Sequence, residues 1–147
     1  MFRLLTISIV AAVLIDQTAV AGSSLAPSSS PYDHNGSRVS VDPQNDQITY
    51  DEPRPALADV VSPDDVLFQG HMHFPGTPEP DKTTHGIAYA FKKGCAPAPY
   101  PVTGSWSADR STLILRGPGP VRSGCAVTGF SQSSPHSVLK FVSMMSP

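Results

Sequence analysis

The chain lacks the features that announce a common chemistry. There is no basic stripe: 10 Lys+Arg stand against 12 Asp+Glu, a formal net charge of −2. Neither a nucleic-acid face nor a polybasic cluster for anionic lipid is expected. There is no GxSxG elbow, no HxxxH or HExxH spacing and no cofactor fingerprint, so no nucleophile, base pair or cofactor is expected. Cysteine is scarce, and Cys95 and Cys125 lack CxxC spacing, which argues against a redox or metal pair. No apolar run reaches the ~20 residues that span a bilayer. Long helices are excluded differently. Pro (16 residues) and Gly (11) interrupt almost every segment, and both break or weaken a helix. Short strands between turns fit better.

What is present begins at the N-terminus. Phe2 and Arg3 precede an apolar run from Leu4 to Ile15, and Ala19-Val20-Ala21 follows. A charged start, a greasy middle and a small-x-small end are the pattern of a secretory signal peptide, here residues 1–21. The run is too short to stay as an anchor. No Cys follows the small residues to carry a lipid. Cleavage after Ala21 leaves one domain of ordinary size with no membrane span, in the periplasm or secreted. In that compartment Cys95 and Cys125 are expected to form a disulfide. It closes a loop of about 30 residues, for which the chain-entropy model gives roughly 3.5–4 kcal/mol.

Hydropathy alternation then organises the mature chain. Gly22 to Pro31 has no apolar period and reads as a flexible leader. Asp33-His34-Asn35-Gly36 is a turn, since Asn-Gly tolerates positive φ at both positions. Val39 and Val41 alternate with polar neighbours, and Gln47 to Tyr50 returns to make a first hairpin. Ala56 to Val61 is one helical turn or an edge strand. Val66–Phe74 and Thr84–Lys93 are strands joined by a Pro-rich loop. Tyr100–Trp106 and Thr112–Arg116 follow, and Gly117-Pro118-Gly119-Pro120 breaks the chain. Cys125–Ser131 and Ser137–Val142 close it. About eight short antiparallel strands in residues 32–142, with a tail at 143–147, predict a small all-β sandwich or barrel.

Few residues carry a chemical hint. His71 and His73, two apart on a strand, point to one face. A hairpin centred near Glu79 places His73 opposite His85, and three imidazoles on one surface suit Zn or Cu in an oxidising compartment. A one-residue slip moves the set to the other face. The blander reading, solvated polar residues on the wet side of a hairpin, carries more weight. Asp33-His34 beside Ser37, and Ser134-Pro135-His136-Ser137, suggest a triad but fit turns that satisfy their own backbone. Asp64-Asp65 and Glu79-Pro80-Asp81 read as solvated loop carboxylates without the apolar pocket that acid catalysis needs. Trp106, Tyr100, Tyr89 and Phe91 read as core rather than as a sugar platform.

A longer series of residues carries a resemblance. Tyr32-Asp33-His34-Asn35-Gly36-Ser37, Ile48-Thr49-Tyr50 and Pro53-Arg54-Pro55 open it. Val66-Leu67-Phe68-Gln69-Gly70, Gly86-Ile87-Ala88-Tyr89-Ala90-Phe91 and Gly94-Cys95 continue it. Val102-Thr103-Gly104, Leu115-Arg116-Gly117 and Leu139-Lys140-Phe141 end it. The series resembles a group of small exported proteins of soil and plant-associated alphaproteobacteria. The resemblance implies bacterial export and carries over no catalytic or binding residue. A looser likeness is to bacterial inhibitors of host lysozyme, small exported β-barrels with an early Tyr…Gly…Val-x-Val strand. The loop with which those inhibitors enter the lysozyme cleft is not recognisable here. The expectation is therefore a non-enzymatic binding or structural protein of the envelope, whose partner is a protein or another envelope component. A metal-binding protein using His71, His73 and His85 and a lysozyme-type inhibitor are the alternatives.

Overall fold

The computed structural model describes residues 29–145. The expected signal peptide lies outside the described residues, as do residues 22–28 of the expected leader and the last two of the tail. The strands are β1 (Ser30–His34), β2 (Ser37–Asp42), β3 (Gln47–Glu52), β4 (Val66–His71), β5 (Thr84–Ala90), β6 (Ala98–Trp106), β7 (Thr112–Arg116), β8 (Gly119–Ser123), β9 (Ala126–Ser131) and β10 (Val138–Ser143). Eight of them close into an antiparallel barrel in the order β1-β10-β7-β6-β5-β4-β3-β2. β8 and β9 form a separate two-stranded ribbon inserted between β7 and β10. Of sandwich and barrel, the chain adopts the barrel.

Alternation drives the closure. Val39, Val41, Ile48, Phe68, Tyr100, Leu113, Leu115 and Phe141 point inward and are fully buried. An eight-stranded barrel is just wide enough for side chains to fill. Each large apolar side chain so buried contributes roughly 1.5–3 kcal/mol. Tyr100 enters this core but keeps a polar contact, its hydroxyl donating to His136 O at 2.8 Å. Each rim is closed by its own cluster. At one, Trp106 meets Tyr32 edge-on (5.4 Å between centroids) and stacks on Phe74 (4.9 Å). At the other, a 3-10 turn at Pro55–Leu57 packs Leu57, with Val61 beyond it, against the core. The first rim also carries the β2–β3, β4–β5 and β6–β7 connections. The second carries the β1–β2, β3–β4 and β5–β6 connections and the ribbon.

The boundaries differ from the sequence reading in several places. β4 ends at His71 and β5 at Ala90, each three residues short of expectation, and β6 begins two residues early, at Ala98. Ser30 and Pro31, expected in the leader, lie in β1, paired with Val41 and Ser40. Asp33 and His34 end that strand, so the turn narrows to Asn35 and Gly36, at φ 52° and 83°. β10 runs one residue further than expected, to Ser143. β8 runs through Pro120 in the segment read as a break. In a two-stranded ribbon each strand has an edge with no strand partner, where a missing N–H removes no ladder bond.

Among the described residues no helix is long and apolar enough to cross a membrane. Cys95 and Cys125 form the expected disulfide.

Candidate functional site

The β4–β5 rim gathers the histidines. His71 ends β4 and pairs with His85 of β5, so the two share a face. Their rings lie 5.3 Å apart between centroids. The partner of His85 is thus His71, not His73 as the sequence suggested. The reason is local. β4 stops at His71, and the chain then turns inward and is held by side chains instead of a ladder. Met72 is buried and its N–H donates to Asp46 Oδ1 at 3.3 Å. His73 N–H donates to the buried Thr84 hydroxyl at 3.1 Å, which returns a bond to His73 O at 3.4 Å.

His73 nevertheless stays in the cluster, because the loop beyond it folds back. Glu79 Oε2 lies 3.6 Å from His71 Nε2 and 3.5 Å from His73 Nδ1. His73 Nδ1 is also 3.3 Å from Thr77 Oγ1, whose own proton goes to Phe74 O at 2.8 Å. A hydroxyl has one proton, so Thr77 accepts from His73 Nδ1–H. His71 Nε2 is shielded from solvent and has no hydrogen-bond partner. On the other side of the cluster Asp81 Oδ2 lies 3.5 Å from His85 Nδ1. Hydrogen bonds from the Thr83 hydroxyl and N–H, at 2.7 and 2.9 Å, hold the Asp81 carboxyl below its usual range. Among the described residues no group of three or more His, Cys, Asp or Glu side chains is arranged to hold a metal ion. The sequence reading took Glu79 and Asp81 for solvated carboxylates and so missed the loop that brings them to the histidines. The i, i+4 spacing of Asp81 and His85 was the available signal.

The opposite rim carries a second surface. The ribbon is fixed at its tip by the disulfide, which ties the β8–β9 turn to the β5–β6 connection. Arg122 adds two carbonyl contacts across the junction, to Ala96 O (2.8 Å) and Ala90 O (3.1 Å), and one within the ribbon's own turn, to Cys125 O (2.9 Å). Lys92 Nζ donates to Gly124 O at 2.8 Å. So anchored, the ribbon displays Val121, Val127 and Phe130, the last 54% exposed. A cavity of about 350 Å³ lies where Phe91, Pro120, Val121, Pro135 and His136 meet. β9 pairs only with β8, so its outer edge has no strand partner among the described residues.

Of the Ser/His pairs read as turns, Ser134 to Ser137 is one, whereas Asp33 and His34 lie in β1 and Ser37 in β2, on either side of the Asn35-Gly36 turn. Ser37 Oγ accepts from Arg54 N–H at 3.0 Å, and Asp33 accepts from Gly36 N–H at 3.1 Å. Ser134 Oγ accepts from His136 N–H at 3.3 Å. His34 is buried, stacks on Phe141 at 4.8 Å and places Nδ1 2.9 Å from Lys140 O. Burial lowers its pKa, as it does that of His136. Trp106 and Tyr100 are core residues, as expected, while Tyr89 and Phe91 are only half buried.

No protein-family model matches the chain, and neither the curated proteins nor the solved structures contain a significant match to it.

Proposed function

We propose that the protein is an exported, non-enzymatic binding domain of the bacterial envelope, and that it takes an extended segment of another protein onto the edge of β9. The observation that carries this reading is the ribbon itself. An uncharged strand, Ala126–Ser131, offers unpaired main-chain groups on one side and exposed Val127 and Phe130 beside them. An unpaired edge is a template for a further strand. The disulfide and Arg122 hold that edge in place before any partner arrives, which lowers the ordering cost of binding. The barrel interior, filled by its own side chains, supports a surface function over an internal ligand. The sequence signal at residues 1–21 and the disulfide support export.

Site-specific photo-crosslinking in exporting cells tests the reading. A photoreactive residue at Phe130 is expected to give a discrete adduct, and the same group at Arg38, on the barrel wall, is not. The absence of an adduct from Phe130 contradicts the reading. So does hydrolysis of a model ester, peptide or glycan that a single point substitution abolishes.

A further inference from the structure

We infer that a cleft between the β4–β5 and β6–β7 connections is a saccharide site, where a neutral sugar lays its apolar face against Phe74 and bonds through its hydroxyls to Asp109 and Arg110. The cleft measures about 620 Å³, and Tyr32, Phe74, Thr77, Asp109, Arg110 and Ser111 are among its lining residues. Small-molecule sites run from about 300 to 1,000 Å³ and join aromatic walls to a few fixed polar groups. Phe74 is half buried and stacks on Trp106, which meets Tyr32 edge-on. Behind this wall the indole N–H of Trp106 is buried without a partner. A donor left so is costly unless a ligand supplies the acceptor.

Arg110 marks the place. It sits at φ 60°, and the other non-glycine residues at positive φ among those described are Asn35, Asp46 and Asp64. Asn and Asp tolerate that conformation, whereas a long side chain is strained there, and such strain collects at ligand sites. The strained residue ties three sides of the cleft together. Its Nε and Nη2 donate to Pro75 O, its N–H donates to Ser107 O at 2.9 Å, and its carbonyl accepts from the Tyr32 hydroxyl at 2.9 Å. Its Nη1 bonds to none of the described residues. Asp109 is set in advance as well. Its Oδ1 accepts from the Ser107 hydroxyl (2.6 Å), the Ser111 N–H (3.0 Å) and the Ser111 hydroxyl (2.8 Å). These bonds, that of Ser107 foremost, pull its pKa down to about 2. The carboxylate is thus ionised and oriented before a ligand arrives, and its Oδ2 takes no bond from the described residues.

The lining selects the ligand by three conditions. The hydroxyl protons of Thr77 and Ser111 already go to Phe74 O and Asp109, so both oxygens have only acceptor capacity left. With Asp109 Oδ2 they outnumber the free donors of Arg110, and the ligand must bring several protons of its own. One carboxylate and one guanidinium balance, which favours a ligand without net charge. The aromatic wall asks for an apolar face. A sugar ring meets all three, with O–H groups around its edge and C–H bonds across its face.

The test is a titration of the oxidised protein with N,N′-diacetylchitobiose and with maltose, read by the fluorescence of Trp106, the chain's one tryptophan, and by calorimetry. Saturable binding of at least one of them is expected, with a Kd of about 1 mM or tighter, the affinity of a stacked ring with a few hydrogen bonds. Asp109→Ala removes a charged acceptor and is expected to weaken binding by about tenfold or more. Arg110→Gly removes the guanidinium but leaves a residue at home at positive φ, so the turn keeps its shape. It is expected to weaken binding by a similar factor. Both positions are exposed, and circular dichroism checks that each variant is folded. No saturable signal with either sugar up to about 10 mM, weaker than any functional contact set here predicts, overturns the proposal. Binding that both variants retain in full also overturns it. So does a response to glycylglycine, a zwitterion, without one to the sugars. The ribbon lies at the other rim, so this result and the crosslink from Phe130 stand or fall separately.

Discussion

Gly70 and Gly86 face each other across β4 and β5, where the strands run so close that a Cβ on either would collide with the backbone of the other strand. The pair immediately precedes the His71–His85 pair, so this close approach sets how near the two imidazoles come. Gly86→Ala is therefore expected to force the strands apart. Overpacking of this kind costs about 1–3 kcal/mol. A urea titration following Trp106 fluorescence measures it. A variant as stable as the wild type contradicts the close approach.

The ribbon depends on its staple. The paired substitution Cys95→Ser with Cys125→Ser opens a loop of 30 residues, and the chain-entropy account gives a loss of roughly 3.5–4 kcal/mol. The barrel strands pair without the ribbon, so the loss is expected to show as a lower denaturation midpoint with native-like barrel circular dichroism at low denaturant. An unchanged midpoint shows that Arg122 and Lys92 suffice to hold the tip.

Phe141 fills the lumen and carries the His34 ring on its face. Phe141→Ala is expected to cost about 3–5 kcal/mol, the range for large-to-small changes at fully buried aromatics. A loss below about 1 kcal/mol, typical of surface changes, would place the ring outside the core.

Stability is expected to fall on acidification. Burial lowers the His34 pKa, opposed by its Lys140 carbonyl contact and by nearby Asp33, and reinforced by Arg54 and His136. Burial, with Arg122 beside it, lowers that of His136. The folded state thus resists the imidazolium form, and the unfolded chain binds the proton first. The stabilising contribution is complete above the unfolded value of about 6.5. It is lost as pH falls through the lower folded values. Denaturant midpoints from neutral to mildly acidic pH check this. A His34→Gln variant should show a shallower decline, and an equal slope would assign the effect elsewhere.

The sequence made the barrel legible where alternation was clean. Val39 and Val41, Gly86 to Ala90, and Leu113 to Leu115 each declared a strand, and the structure has strands there. Cys95 and Cys125 declared their bond because a chain with two cysteines and a signal-like start offers one pairing. What escaped was non-local. β1 was hidden because Pro31 sits within it, yet Tyr32 and Asp33 find ladder partners in both β2 and β10. β8 was hidden by Gly119-Pro120, which looks like a break until the ribbon leaves one edge free. The histidine register was off by two residues because side chains of Asp46 and Thr84, remote in sequence, end β4 early. Glu79 was out of reach for the same reason, since only the folded loop returns it to His71 and His73.

The central claim is a ribbon that is rigid yet open along β9, and amide hydrogen exchange of the isolated, oxidised protein tests it most directly. The account predicts an alternating pattern in Ala126–Ser131, with the amides facing β8 protected and those on the outer edge exchanging freely. Uniform protection of β9 would contradict the account, because the edge would already be covered. Uniform lack of protection would contradict it equally, because the ribbon would not be formed.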